Sequence, residues 1–333
     1  MSSHNNKPGS YIKLSLRLQL LQLKIANFLE LLRLTFKTST GRNIIKIHDY
    51  IVKTYNDADE SAYEYSVLSN IALSKPVTFR VPRVLKLFKT QGRSTLIMEY
   101  VAGHRLDNYM LDFLLRGNSD TFKIFYWLGK AVRELHNLNI GGLRDSFFPL
   151  SRFELKDEIV KLSKKLVALK IIDDNIFGAI SGVLKKVDIA DEIFFNVNLH
   201  GEFYFTHILV QDNRIILLDL HNAQRGPSYF DLAMLSTSLY VSLAFPSKTL
   251  KRFTPLIEAF LRGYYGKDLN AEIIKSIKLA ELYVVLREIL VYARALYNED
   301  SLITRFLTIL KIRRLKAAIK KVILPSLITS LSN

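Results

Sequence analysis

The 333-residue chain has a net charge of +16, with 49% hydrophobic residues, 23% charged residues and no cysteine. This length allows one large domain or two lobes with a substantial core, and the composition is that of an ordinary globular protein. The lack of cysteine excludes a disulfide scaffold and thiolate metal sites, and it favours a reducing compartment.

The positive charge has two interpretations. Such a surface attracts nucleic acid, anionic lipid or phosphorylated substrates, whereas scattered solvated lysines would give the same sum without any partner. The sequence contains no basic motif interleaved with aromatic residues of the kind that single-strand and RNA binders use. Nucleic acid is therefore disfavoured as a partner.

The N-terminal region, residues 1–34, is predicted to be a leucine-rich extension. It carries Lys13, Arg17 and Glu30 among its leucines, and this charge density excludes a signal-peptide core or a membrane span. Alternating leucines suit a strand, but the clustered ones favour a helix over 15–30. We expect a cytoplasmic protein, free or at the cytoplasmic face of the inner membrane.

A small β-rich lobe is predicted over 35–102. Three β-type segments open it, and the last of them, YIVKTY, places Lys53 inside an apolar strand. The segment ADESAYEYSVLSNIAL then predicts a helix, with Asp57 or Asp59 as its N-cap. Two further strands flank the turn TQGRS. One helix packed on a small sheet is the expected architecture of this lobe.

From residue 103 the pattern becomes mostly helical, except for a hairpin-like β insert at 193–220. The predicted helices cover 105–116, 119–138, 152–170, 175–187, 228–245, 249–265, 270–297 and 301–323. We expect a helical lobe over 103–300 and a basic C-terminal helix over 301–333. The fold class is therefore α+β, with a small β-rich N-lobe and a larger helical C-lobe.

The insert contains polar residues that indicate catalysis. Within NLHGEFYFTHILVQDNRIILLDLHNAQ, Glu202 and His207 stand among β-formers, and Asp219 directly follows an apolar strand. Phosphoryl transfer requires a cation for the phosphates, a carboxylate that orients the acceptor hydroxyl, and ligands for Mg²⁺. Lys53 paired with Glu64 suits the first role. Glu202 suits the second, and His207 with Asp219 suits the third.

Each of these residues, taken alone, has a simpler structural interpretation. A strand lysine is more often an edge or snorkelling residue, and histidines such as His200 and His207 are more often hydrogen-bonded parts of the core. Asp219 alone would cap a turn. Their joint order and spacing favour the catalytic interpretation, because independent accidents rarely produce a complete set.

The nucleotide-binding segments resemble those of the protein-kinase-like superfamily. Lys53 and Glu64 match its strand lysine and the helix glutamate that pairs with it. MEYVAG resembles its hinge, whose backbone at Glu99 and Val101 would hydrogen-bond adenine. The resemblance covers about 36–265 and implies a two-lobed kinase fold with ATP and Mg²⁺ as cofactors.

The catalytic segments resemble the same superfamily. HGEFYFTHILV matches its catalytic loop and LLDLH its magnesium-binding segment, which implies a catalytic role for Glu202 and metal ligation by His207 and Asp219. THILV followed by DLHNAQ is similar to the lipopolysaccharide core kinases that phosphorylate heptose or Kdo. GPSYFDLAML resembles aminoglycoside and choline phosphotransferases, in which the aspartate matching Asp231 holds the catalytic loop. The acceptor is therefore a sugar or glycolipid hydroxyl in one branch and a small molecule in the other.

Glu202 replaces the catalytic aspartate of the superfamily, which leaves a binding module without catalysis as a further alternative. No glycine-rich loop precedes Lys53, and only Gly41 in STGRN is available there, as in small-molecule kinases of this superfamily. The segment GLRDSFF imitates a catalytic loop, but Leu150 occupies its ligand position, so we reject it.

The C-terminal segment from Arg305 to Lys321 contains seven basic residues and no acidic one. A basic helix suits peripheral contact with an anionic membrane. On a helical projection, however, these charges scatter around the axis. A solvated terminal helix is therefore an equal alternative.

Overall fold

The computed structural model describes residues 43–90, 93–212, 214–242, 245, 247–298 and 301–329. The predicted helix over 15–30 lies outside the described residues. The first strands are β1 (Asn43–Ile47), β2 (Tyr50–Tyr55), β3 (Phe79–Arg80), β4 (Val84–Thr90) and β5 (Arg93–Glu99). Four of them form an antiparallel sheet in the order β1-β2-β5-β4.

One helix packs on this sheet, as predicted. It is α1 (Ala58–Leu73), and its N-cap is Asp57, whose side chain accepts a hydrogen bond from the backbone N–H of Asp59. In β2, alternation along the strand buries both Lys53 and Tyr55. Because Glu64 is also buried on α1, the lysine and the glutamate face each other across the interior of this lobe.

Two smaller sheets follow. Their strands are β6 (His104–Arg105), β7 (Arg144–Asp145), β8 (Asn196–Leu199), β9 (Ile208–Gln211), β10 (Arg214–Leu217) and β11 (Gln224–Pro227). The orders are β3-β10-β9-β6 and β7-β11-β8. The predicted insert is thus a hairpin only from β9 to β10, because β8 pairs with β11 in another sheet.

The helices of the C-terminal part agree closely with the predicted ones. They are α2 (Leu106–Arg116), α3 (Asp120–Asn137), α4 (Arg152–Ala168), α5 (Asp174–Lys186), α6 (Tyr229–Val241), α7 (Thr254–Tyr265), α8 (Ala271–Asn298), α9 (Leu302–Ala318) and α10 (Leu324–Thr329). A β-sheet part followed by a mostly helical part confirms the predicted fold class. Across the described ranges, each helix is too short or too polar to cross a membrane.

At two helix ends the difference from the prediction has a local reason. The helix predicted from 249 begins at Thr254, and a 3₁₀ segment precedes it. Pro255 lies in the first turn of α7, which is the part of a helix that tolerates a residue without a backbone N–H. The last predicted helix is α only to Ala318, after which Ile319–Ile323 forms a π turn.

Helices α3 and α7 approach until their backbones touch, and two glycines permit this. A Cβ on Gly129 would lie 2.0 Å from the carbonyl oxygen of Phe260, and one on Gly263 would lie 1.9 Å from that of Tyr126. Neither backbone can move without separating the helices. The pair contacts the loop after β8 through Phe260 on α7, whose ring stacks on that of Phe203 with 6.2 Å between the ring centroids.

Gly129→Ala should destabilise the protein by about 1–3 kcal/mol or more, because the added methyl overlaps backbone that cannot yield. Gly178→Ala on α5 is the matched control, since its Cβ would meet no atom within 4 Å. That change should stabilise by about 0.5–1 kcal/mol, the usual gain when alanine replaces glycine inside a helix. Urea unfolding of both variants measures the difference, and equal stabilities would contradict the close packing.

Candidate active site

A buried ammonium group joins three elements at the centre of the site. Lys53 Nζ on β2 donates hydrogen bonds to Glu64 Oε1 at 2.9 Å and Oε2 at 2.8 Å on α1. It also donates to Asp219 Oδ1, just after β10, at 2.6 Å. Lys53 is 4% exposed and Glu64 1% exposed. Lys53 and Glu64, the pair that the sequence predicted, are therefore in contact, and Asp219 joins them from a distant segment.

The three charges affect one another strongly. Burial raises the pKa of the Glu64 carboxyl, and the charge of Lys53 partly offsets this effect. For Asp219, burial alone would raise the pKa. The hydrogen bond from His221 and the positive charge of Lys53 outweigh it and hold the pKa well below its usual range. Asp219 is therefore a permanent carboxylate at neutral pH.

The backbone at Asp219 is strained. Its φ of 61° and ψ of 56° lie in the left-handed region, which non-glycine residues adopt at a cost of about 1–3 kcal/mol. This conformation turns the carboxylate back toward Lys53 at the end of β10. Strain of this kind concentrates at functional sites, where the surrounding contacts hold the residue in place.

Asp231, near the start of α6, holds the loop after β8 in place. Its fully buried carboxylate accepts hydrogen bonds from the backbone N–H of His200 at 2.7 Å and of Gly201 at 3.1 Å. The ring of His136 on α3 lies 3.2 Å from the same carboxylate. Asp231 thus holds the loop, which is the role that the resemblance implied for it.

The same loop is tied to the segment that carries Asp219. His200 Nε2 donates to the carbonyl oxygen of Leu218 at 2.8 Å, and burial lowers the pKa of His200 to about 4, so the ring stays neutral at physiological pH. Gly201 has a φ of +83°, and a Cβ there would lie 1.9 Å from the carbonyl oxygen of Asn222. Only glycine allows the two segments to approach this closely.

Glu202 faces two residues that the sequence analysis did not single out. Asn222 Nδ2 donates to Glu202 Oε1 at 2.6 Å. His221 places Nδ1 2.8 Å from Asp219 Oδ1 and Nε2 3.9 Å from Glu202 Oε2. His221 and Asn222 directly follow Asp219, and this position could have suggested them as site residues. The sequence could not show that the 3₁₀ turn Leu220–Asn222 places them next to Glu202.

Two arrangements of side chains could hold a metal ion. Among the described residues, Glu202, Asp219 and His221 form a group whose ligand atoms all lie within 4.8 Å of one another. The predicted His207 places Nε2 3.7 Å from Asp219 Oδ2, while its Nδ1 lies 3.0 Å from the carbonyl oxygen of Glu202. A ring that donates one N–H to a carbonyl is oriented as metal-binding histidines usually are.

The predicted hinge borders an apolar platform. Val101 packs with Leu209 on β9 and Ile216 on β10, in a small cluster apart from the main core. The side chain of Glu99 is engaged by Arg80, whose Nη1 lies 2.5 Å from Glu99 Oε1. The backbone N–H of Glu99 donates to the carbonyl oxygen of Arg83 at 2.9 Å. The platform suits a flat apolar ring.

Replacing Lys53 by Met should cost about 3–5 kcal/mol of stability, because it leaves Glu64 as a buried charge without its partner. In the double variant Lys53→Met/Glu64→Gln the residue at 64 carries no charge and Asp219 keeps its hydrogen bond from His221, so most of this loss should be recovered. Chemical denaturation of the two variants and the wild-type protein tests the pair. If the double variant were as unstable as the single one, the ion pair would not be the source of the loss.

Comparisons with known proteins agree with this geometry. The family model described as the phosphotransferase enzyme family (APH), whose kinases use ATP with a divalent metal ion, matches residues 32–268. No curated protein matches the chain.

Several solved structures share the fold. The GDP and kanamycin complex of APH(2")-IIia has 15% identity and a TM-score of 0.60, over 83% of this chain and 90% of that one. A choline/ethanolamine kinase family protein from Mesorhizobium loti has 16% identity and a TM-score of 0.53, over 87% and 89%. The amicoumacin kinase hAmiN has 13% identity and a TM-score of 0.52, over 86% and 90%. Because the family model covers most of the chain, this protein belongs to the phosphotransferase enzyme family.

Proposed function

We propose that the protein is an ATP-dependent kinase that transfers the γ-phosphate to a sugar hydroxyl of the lipopolysaccharide core. The observation that carries the kinase assignment is the convergence of Lys53, Glu202 and Asp219, from three separate segments, on one site. The sugar acceptor rests on the similarity of THILV and DLHNAQ to heptose and Kdo kinases. An aminoglycoside- or choline-type acceptor is the second candidate, favoured by the solved structures that share the fold.

The residues of the site fit ATP and Mg²⁺. Lys53 would hold the phosphates, and the backbone at Glu99 and Val101 would hold adenine on the apolar platform. Asp219 Oδ1 already accepts two hydrogen bonds, so Oδ2 is the oxygen left for a metal ion, with His207 binding directly or through water. When bound, ATP supplies the phosphoryl group and Mg²⁺ neutralises charge on its phosphate oxygens.

Glu202 would orient the acceptor hydroxyl and take its proton. Its carboxylate is about one methylene longer than that of the aspartate it replaces, roughly 1.5 Å. Asn222 fixes Oε1 by a hydrogen bond, which leaves Oε2 available to the acceptor. Because phosphoryl transfer depends chiefly on positioning and charge stabilisation, a glutamate held in this way supports catalysis. A binding module without catalysis would not require the Glu202 carboxylate to be held in one orientation.

Polar side chains beside Glu202, which we call the acceptor surface although Glu288 is only 6% exposed, suit an acceptor rich in hydroxyl groups. Tyr204 OH donates to Glu288 Oε2 on α8 at 3.3 Å, and Lys311 Nζ on α9 lies 4.9 Å from the centre of the Tyr292 ring. Burial raises the pKa of Glu288 and lowers that of Lys311. Hydroxyl, carboxylate and ammonium groups together can donate and accept hydrogen bonds, as recognition of a sugar requires.

A glycolipid acceptor implies a location at the cytoplasmic face of the inner membrane, with peripheral contact with anionic lipid. Of the four proposed regions, 1–34, 35–102, 103–300 and 301–333, the last three then have distinct roles. The second binds nucleotide, the third carries the catalytic loop and the fourth is the basic helix. Strand β3 of the second region joins the sheet of β9 and β10, so the two lobes share backbone hydrogen bonds.

Glu202→Gln should lower turnover by about 10²–10⁴-fold with little change in ATP affinity, because it removes the proton acceptor and leaves Lys53 and Asp219 in place. Glu202→Asp should also lower turnover, since a displacement of about 1 Å can cost on the order of 10²-fold. Glu258→Gln on the exposed side of α7 controls for the loss of one charge. Phosphate transfer to purified core glycolipid and nucleotide binding by thermal shift give the two readouts. Negligible wild-type transfer, unchanged in either variant, would select the binding module.

The acceptor is tested by mass spectrometry of lipopolysaccharide from a strain that lacks the protein. We expect loss of one phosphate from the core, restored by the wild-type gene and not by Glu202→Gln. An unchanged core together with phosphorylation of kanamycin or choline by the purified protein would instead select the small-molecule acceptor.

A further inference from the structure

Helix α9 exposes a row of apolar side chains that no described element covers. Leu302, Phe306 and Ile309 recur at i, i+4 and i+7, so they lie on one side of the helix, with Ile303 beside them. Their exposed fractions are 81% for Leu302, 61% for Ile303, 59% for Phe306 and 38% for Ile309. We call these four residues, together with Arg305 and Arg313, the α9 outer face.

In the tertiary structure some basic residues of α9 face inward and others are exposed, although a helical projection scatters them around the axis. Lys311 turns inward over the Tyr292 ring, and Arg314 Nε donates to the carbonyl oxygen of Tyr240 at 3.0 Å. Arg305 and Arg313 remain exposed within the apolar row. Large apolar side chains flanked by basic ones are the pattern of a helix that lies in a membrane interface.

The basic residues of the α9 outer face indicate which kind of partner binds it. No acidic residue occurs from Leu302 to Asn333, so a second copy packed face to face would bring Arg305 and Arg313 against like charges without a carboxylate from that segment. Residues 1–42 contain seven Lys and Arg against one Glu, so they do not complement the face either. An anionic lipid surface supplies both the apolar medium and the opposite charge.

We propose that the α9 outer face docks the protein on an anionic lipid surface, with Leu302 and Phe306 as apolar anchors and Arg305 and Arg313 as headgroup contacts. The opposite side of the same helix carries Lys311, which belongs to the acceptor surface beside Glu202. Docking therefore holds that surface one helix diameter, roughly 10 Å, from the lipid. This purpose rests on the proposed glycolipid acceptor, whereas the docking itself does not.

Co-sedimentation of the full chain with vesicles tests the proposal without ATP or acceptor. The protein should bind vesicles of phosphatidylcholine with phosphatidylglycerol, and should bind pure phosphatidylcholine much less. Leu302→Ser/Phe306→Ser should lower the partition coefficient by about tenfold or more. Arg305→Gln and Arg313→Gln should each lower it about fivefold, and added salt should reduce binding in the same way.

Phe153→Ser is the matched control, because Phe153 stands near the start of α4 and is 72% exposed. It should bind vesicles as the wild-type protein does, and thermal shift should show that every variant folds and binds nucleotide. Failure of the wild-type protein to bind either type of vesicle would overturn the proposal. Wild-type binding by the Leu302→Ser/Phe306→Ser variant would also overturn it. A dimer in sedimentation velocity that the anchor variant loses, without vesicle binding, would assign the face to a second copy.

Discussion

The site depends on one buried ammonium group. Lys53 Nζ stands between the carboxylates of Glu64 and Asp219, and it is their common partner. A buried charge is tolerated only where opposite charges and hydrogen bonds replace its water. The pairing therefore fixes the relative positions of β2, α1 and the end of β10, because a shift of any one element would leave a charge unpaired.

Backbone geometry places the remaining groups. Asp231 accepts hydrogen bonds from two consecutive backbone N–H groups of the loop, and Gly201 permits the approach to Asn222 that a side chain would block. These contacts act on the main chain, so they orient Glu202 without touching its carboxylate. Asn222 then holds one of its oxygens. The position of Glu202 is therefore set by contacts of the backbone and by one side-chain hydrogen bond.

Helix α9 connects the site to the outside of the protein. Lys311 lies over the Tyr292 ring on the inner side of the helix, while Leu302 and Phe306 are exposed on its outer side. Packing of α9 therefore separates two kinds of basic residue, some committed to the interior and some exposed. An enzyme that acts on a lipid-linked sugar would benefit from such a division, because docking and acceptor recognition would share one rigid element.

The sequence by itself determined what depends on local patterns. Apolar periodicity predicted the helices closely, Asp57 or Asp59 could be proposed as the cap of α1, and Lys53 and Glu64 could be proposed as partners from their order along the chain. Contacts between distant segments were decided only by the tertiary structure. Sheet pairing separated β8 from the β9–β10 hairpin, and the turn after Asp219 brought His221 and Asn222 to Glu202. The sides of α9 were likewise decided by packing, because periodicity shows which residues share a face but not which face a neighbouring helix covers.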